Sequence, residues 1–145
     1  MSTVKEDFLP LIEAGQRVCI DMQWDDVMHE KEVKSLVVQL AHLYGFNRRS
    51  DHPLNLFLTS VDKRARECLA KISGFDQWLL SSRQEHYSQV FPDSSELIYL
   101  TAESPNVLKE LDKSKVYIIG GMVDHNRHKR MCHNKAVEAG IATAR

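Results

Sequence analysis

VYIIGGMVDHNRHK, residues Val116–Lys129, changes character in its middle. Val116–Ile119 is a short apolar run with two β-branched isoleucines, the composition of a strand buried on both faces. Gly120-Gly121 follows at once. Two glycines let the backbone turn sharply and let a ligand approach main-chain atoms with no Cβ between them. The pair alone also fits a plain turn. Beyond it, Asp124 stands in a loop with His125, Asn126, Arg127, His128 and Lys129. A last helical pattern covers Arg130–Ala139 and stops at Gly140, a usual place for glycine.

Upstream, the same alternation of short apolar runs and amphipathic stretches recurs. Arg17–Met22 holds the run VCI between Gly15 and the acidic segment Asp21–Asp26. Lys31–Tyr44 then places Val33, Leu36, Val37, Leu40 and Tyr44 on one helical stripe. Leu54–Leu58 reads as a strand after Pro53, and Ser60 as the cap of a helix carrying Ala65, Cys68, Leu69 and Ile72. Gly74–Pro92 has no clear period. Glu96–Leu100 is a further strand, and Ser104-Pro105 predicts the start of a helix with Leu108 and Leu111 on one face. Strand and helix thus alternate four times, without repeats or low-complexity linkers. The expectation is an α/β fold, a mostly parallel sheet flanked by helices. Such sheets hold ligands beyond the carboxyl ends of their strands. Three of the connections there are Asp21–Asp26, Leu100–Ser104 and Gly120–Lys129.

The 145 residues suit one domain that buries roughly two-thirds of its extended surface. Hydrophobic content of 43% and charged content of 27% are ordinary for a globular chain. No apolar stretch has membrane-spanning length, and MSTVKEDFLP lacks a secretory pattern. Cys19, Cys68 and Cys132, odd in number and far apart, read as free thiols. The net charge of −1 hides an asymmetry. Residues 1–30 hold seven acidic and two basic side chains, whereas residues 116–145 hold five basic, two acidic and three histidines. A local basic face is the minimum for phosphate binding, although a solvated helix face has the same composition.

Motif chemistry narrows the field. With neither G-x-G-x-x-G nor G-x-x-x-x-G-K-[ST], there is no support for dinucleotide binding or nucleotide hydrolysis. His125, His128, Cys132 and His133 offer metal-type donors, but their spacing matches no standard zinc pattern and their neighbours are cationic, so no metal is expected. Asp124 is able to accept a proton or orient a donor, with nearby cations lowering its pKa; pairing with Arg127 or Lys129 is the plainer alternative. Asp21, Asp25 and Asp26 suit a hydroxyl-rich ligand or the capping of the next helix. Arg48, Arg49, Arg64 and Arg66 are candidate phosphate contacts.

YIIGGMVDHNRHK, with ELIYLTAESPNVLKELD upstream and CIDMQWDDVM and KEVKSLVVQLAHLYGFNRR earlier, resembles the tRNA methyltransferases of eukaryotes and archaea that modify N1 of the purine at position nine. These belong to the SPOUT superfamily. The resemblance runs from about Arg17 onward and is nearest to the guanine-modifying nuclear and cytosolic branch. It implies a SPOUT-like sheet and an S-adenosylmethionine-dependent methyltransferase acting on guanine N1 of tRNA, in the nucleus or cytoplasm, usually as a monomer. It implies Asp124 as the catalytic residue. Cofactor contacts would be Leu100, Thr101, Gly120, Gly121, His125, Asn126, Arg127, His128, Lys129 and Cys132. For tRNA it points to Arg127, Lys129 and Arg130, and less directly to Arg48 and Arg49. Family domains continue beyond the residues matching Thr143–Arg145 with a strand, a loop and a long helix that complete the knot. The expectation is therefore an N-terminal tail or helix end at 1–15 and a partial methyltransferase domain at 16–145. As a piece, it would bind cofactor weakly. A tRNA- or partner-binding fragment without activity, and a flavodoxin-like module, are the alternatives.

Overall fold

Six strands pair into one sheet, all in parallel: β1 (Arg17–Asp21), β2 (Asn55–Thr59), β3 (Ser81–Ser82), β4 (Leu97–Leu100), β5 (Val116–Gly120) and β6 (Ala142–Ala144). Their spatial order is β3-β2-β1-β5-β4-β6. The helices are α1 (Glu30–Arg48), α2 (Lys63–Ala70), α3 (Tyr87–Val90) and α4 (Met131–Glu138), with residues 9–13 also helical. The computed structural model describes residues 9–23, 30–72, 74–101, 104–120 and 131–144.

Alternation along each strand divides the core into two layers. Val18 and Ile20 of β1, with Leu56 and Leu58 of β2, pack under Val33, Leu36, Val37 and Leu40 of α1 and Ala65 and Leu69 of α2. Cys19, Leu97, Tyr99, Val116 and Ile118 face the other way, against Tyr87, Phe91, Ala136 and Ile141. The predicted stripe of α1 is thus the buried one, and the helix runs past Tyr44 to Arg48. Tyr44 itself is half-buried; its ring stacks on Trp78 at 4.4 Å and its hydroxyl accepts the Leu79 N–H at 2.7 Å. That contact organises part of the segment in which no period was legible.

Three local expectations differ from what the fold contains. The cap of α2 is Asp62, whose carboxylate accepts from the Ala65 N–H, and not Ser60. Ser60 instead takes a left-handed φ of 54° and donates its N–H to the Glu85 carbonyl. No helix follows Pro105; residues 104–115 run irregularly, and Leu111 is exposed. The Ser104 hydroxyl still accepts the Asn106 N–H at 3.1 Å, as a cap would, but no helix follows, and both Ser104 and Asn106 are bonded to Thr143 of a distant strand. Strand β6 was not foreseen: alanine is a poor strand former, and pairing with β4 supplies what its sequence lacks.

The amino ends of the strands are stapled by side chains. Arg17 donates to Glu96 at 2.9 Å and to the Ser114 carbonyl at 3.0 Å, while Gln16 donates to the Lys115 carbonyl at 2.8 Å. Buried Asn47 accepts the Leu54 N–H at 2.7 Å and donates to the Leu54 carbonyl at 3.0 Å, fixing how the chain enters β2. Removing one partner strands the other's polar groups. Asn47→Ala is therefore expected to lower stability by about 1–3 kcal/mol, measured by urea unfolding.

Candidate functional site at the carboxyl ends of β1, β4 and β5

Strand β5 lies between β1 and β4, with Asp21 in register with Gly120 and Leu100 in register with Ile119. The connections that sequence placed at one end of the sheet therefore leave from three adjacent strands. After β1 the chain turns towards β2; after β5 it departs to β6 on the opposite side. Strand order reverses between them, which is where open α/β sheets form a crevice.

Asp21 closes β1 on the same face as Cys19 and is wholly buried. The Tyr99 hydroxyl, reaching from β4 across β5, donates to Asp21 Oδ2 at 2.7 Å. Gln23 donates to the same carboxylate from its main-chain N–H at 3.2 Å and from its side-chain amide. Burial pushes the Asp21 carboxyl above the ordinary carboxylate range, opposed by the donors from Gln23 and Tyr99 and by nearby His86. Next to it, burial pushes the Cys19 thiol up to about 12, against the hydrogen bond with Thr59 Oγ1 at 3.2 Å. A thiol held neutral in this way is inert at physiological pH.

The rim of the crevice is more open. Leu100, Thr101 and Gly120 are half-buried. Thr101 donates its N–H to the Ala144 carbonyl at 2.8 Å. Beside Gly120 a cavity of about 240 Å³ is lined by Ile20, Leu36, Gln39, Leu40, Leu43 and Ile119. A glycine at the strand end with an apolar recess beside it suits one wall of a ligand site, where a flat apolar group packs and main-chain atoms can approach without a Cβ between them.

Of the residues singled out from sequence, the structure brings Leu100, Thr101, Gly120 and Asp21 together. Gly121, Asp124, His125, Asn126, Arg127, His128, Lys129 and Arg130 lie outside the described residues, as do the side chains of Cys132 and His133. Arg48 and Arg49 sit at the far end of α1, about 27 Å along the helix from its start, towards the amino ends of the strands. They are separate from the crevice. Arg49 lies over the exposed Phe46 ring, 5.1 Å from its centre. Tyr99 was missed; its position two residues past Leu97, on the inward face of β4, was the available signal. Among the described residues no cluster of three metal-type donors occurs and no helix is long and apolar enough to cross a membrane.

A carboxyl whose pKa is raised on folding binds its proton more tightly in the native state. Its contribution to stability is present at low pH and is lost as pH rises through and above the ordinary aspartate value. Asp21→Asn is expected to remove this component. Subtracting the variant's urea-unfolding profile from that of the native chain, between pH 3 and 7, should leave a difference that falls with pH and then levels (range chosen about the ordinary carboxylate pKa of ~4).

A family model described as tRNA (guanine(9)-N(1))-methyltransferase TRM10/TRM10A matches residues 4–145. The tRNA methyltransferase 10 homolog A of Xenopus tropicalis is 42% identical over 130 residues, 88% of this chain and 39% of its own length. The tRNA (guanine(9)-N1)-methyltransferase of Eremothecium gossypii is 39% identical over 141 residues, 92% of this chain and 45% of its own length. A crystal structure of full-length spTrm10 in complex with SAH matches with a TM-score of 0.86 at 36% identity, covering 90% of this chain and 73% of that one. The chain spans about two-fifths of the length of the curated relatives it matches.

Proposed function

The chain belongs to the tRNA (guanine(9)-N(1))-methyltransferase TRM10/TRM10A family, and on that premise we propose that it serves S-adenosylmethionine-dependent methylation of guanine N1 at position nine of tRNA. One observation carries the reading. The carboxyl ends of β1, β4 and β5 lie side by side, with Leu100, Thr101 and Gly120 half-buried there and an apolar recess beside Gly120. The relative solved with SAH, the demethylated form of that donor, shares this fold.

When bound, S-adenosylmethionine supplies an electrophilic methyl group on sulfur. The protein's part is to place it in line with the target nitrogen, which is chiefly a matter of position. Leu100, Thr101, Gly120, Gly121 and Cys132, with His125, Asn126, Arg127, His128 and Lys129, are the proposed cofactor contacts. Guanine N1 carries a proton at neutral pH. Asp124 is the proposed base for it, receiving the proton as the N1 lone pair becomes available. Asp21 is held by Tyr99 and Gln23 in the dry floor of the crevice, and so anchors β1 against β4 instead of offering a free base. Arg127, Lys129 and Arg130 grip phosphates beside the exposed base, with Arg48 and Arg49 as outlying contacts. No membrane or metal partner enters the scheme, and a monomer in the nucleus or cytoplasm completes it.

Primer extension across position nine of a tRNA bearing guanosine there is the direct test. A stop that depends on S-adenosylmethionine, weakened about a hundredfold or more in Asp124→Asn, is the expected result. An unchanged stop in Asp124→Asn removes its role as base. Binding of tRNA with neither a stop nor SAH binding favours the alternative of a binding fragment.

A further inference from the structure

Around Thr101 the chain makes a connection that the methyl-transfer scheme does not use. The turn after β4 closes on itself, with Ser104 donating its N–H to the Thr101 carbonyl at 3.1 Å. Ser104 is buried, and its hydroxyl meets the buried hydroxyl of Thr143 in β6 at 2.8 Å. The Asn106 N–H donates to Ser104 Oγ at 3.1 Å, and Asn106 Nδ2 donates to the Thr143 carbonyl at 3.1 Å.

The direction of these bonds matters. Successive carbonyls of a strand point to opposite sides within the sheet. The Ala144 carbonyl points to β4, where it accepts the Thr101 N–H. The Thr143 carbonyl therefore points away from β4, to the outer side of the edge strand, and Asn106 meets it there. Strand β6 is only three residues long. It is gripped on one side by β4 and on the other by residues 104–106 of the loop that β4 leads into. The side-chain bonds from Ser104 and Asn106 add to the β4 pairing in seating these residues.

We propose that Ser104, Asn106 and Thr143 are positioning residues: they clasp β6 between β4 and the loop, and thereby hold the Thr101 main chain where the methyl donor docks. The inference rests on the reading of Leu100 and Thr101 as cofactor contacts. It assigns the clasp to the donor side of the reaction and not to tRNA binding. The three side chains touch neither reacting group; they act through the Thr101 peptide, whose N–H and carbonyl are both engaged by the clasped segment.

The test compares the native protein with Asn106→Asp, which keeps the shape but replaces the Nδ2 donor with an acceptor facing a carbonyl. Thr143→Val removes the hydroxyl alone, and Thr143→Ser restores it. SAH affinity is read by calorimetry, tRNA affinity by gel shift and the thermal midpoint by scanning. KM for S-adenosylmethionine and kcat come from the tRNA assay. Loss of one or two hydrogen bonds predicts SAH binding weaker by about two- to tenfold in Asn106→Asp and Thr143→Val. KM for the donor should rise to match, with tRNA affinity and kcat at saturating donor near native. Thr143→Ser should recover. Because Asn106 is exposed, its variant remains informative even if Thr143→Val unfolds. Native SAH affinity in Asn106→Asp overturns the clasp. So does a loss of SAH and tRNA binding in proportion to lost folded protein. A native protein that binds no SAH overturns the docking of a donor at Thr101 and the clasp with it.

Discussion

Strand β5 has no free edge. Its backbone pairs with β1 along one side from Val116 to Gly120 and with β4 along the other from Val116 to Ile119. From Val116 to Ile118 the strand is fully buried, so its backbone groups must find their partners in the neighbouring strands; only Ile119 and Gly120, at the carboxyl end, reach the surface. This obligation brings residues roughly 80 apart in sequence into one row. The Tyr99 hydroxyl then spans β5 to reach Asp21. With β1, β5 and β4 locked in register, their carboxyl ends are level, and the crevice above them follows from strand pairing.

The same constraint explains why the floor and the rim of the crevice differ. The floor is dry: Cys19, Asp21, Thr59 and Tyr99 are all buried, and their polar atoms are paired with one another or with Gln23. Buried polar groups held in this way are costly to disturb and hold their geometry. Above them Thr101 and Gly120 are half-buried, and Gly120 borders an apolar recess. A rigid, satisfied base beneath exposed main chain suits a reaction in which placing two reactants is the main task. The short edge strand β6 ties the loop after β4 into this arrangement from the outside.

Where sequence and structure agree, the signal was periodic and long enough to average over. The stripe from Val33 to Leu40 predicts the buried face of α1, and the runs VCI, LIYL and VYII mark three strands. The disagreements fall where one distant contact outweighs a local preference. Asp62 takes the cap expected of Ser60, because Ser60 is drawn into a left-handed turn bonded to Glu85. The helix expected after Pro105 is absent, with Ser104 committed to Thr143. Alanine-rich β6 forms only because β4 presents it with a ready edge. The family resemblance, carried by ELIYLTAESPNVLKELD and YIIGGMVDHNRHK, was legible because motifs keep residue identity and order, which pairing partners do not.

Sequence by itself determined the longer periodic elements, the stripe that α1 buries, the family and the three connections in which to look for a site. Such features depend on neighbours within a few residues of each other along the chain. Only the tertiary structure decided the strand order, the burial of Asp21 under Tyr99, and the seating of β6 between β4 and residues 104–106. Each of these joins residues dozens of positions apart. Hydrogen bonds of that kind are chosen by which polar groups folding removes from water, and no local pattern records the choice.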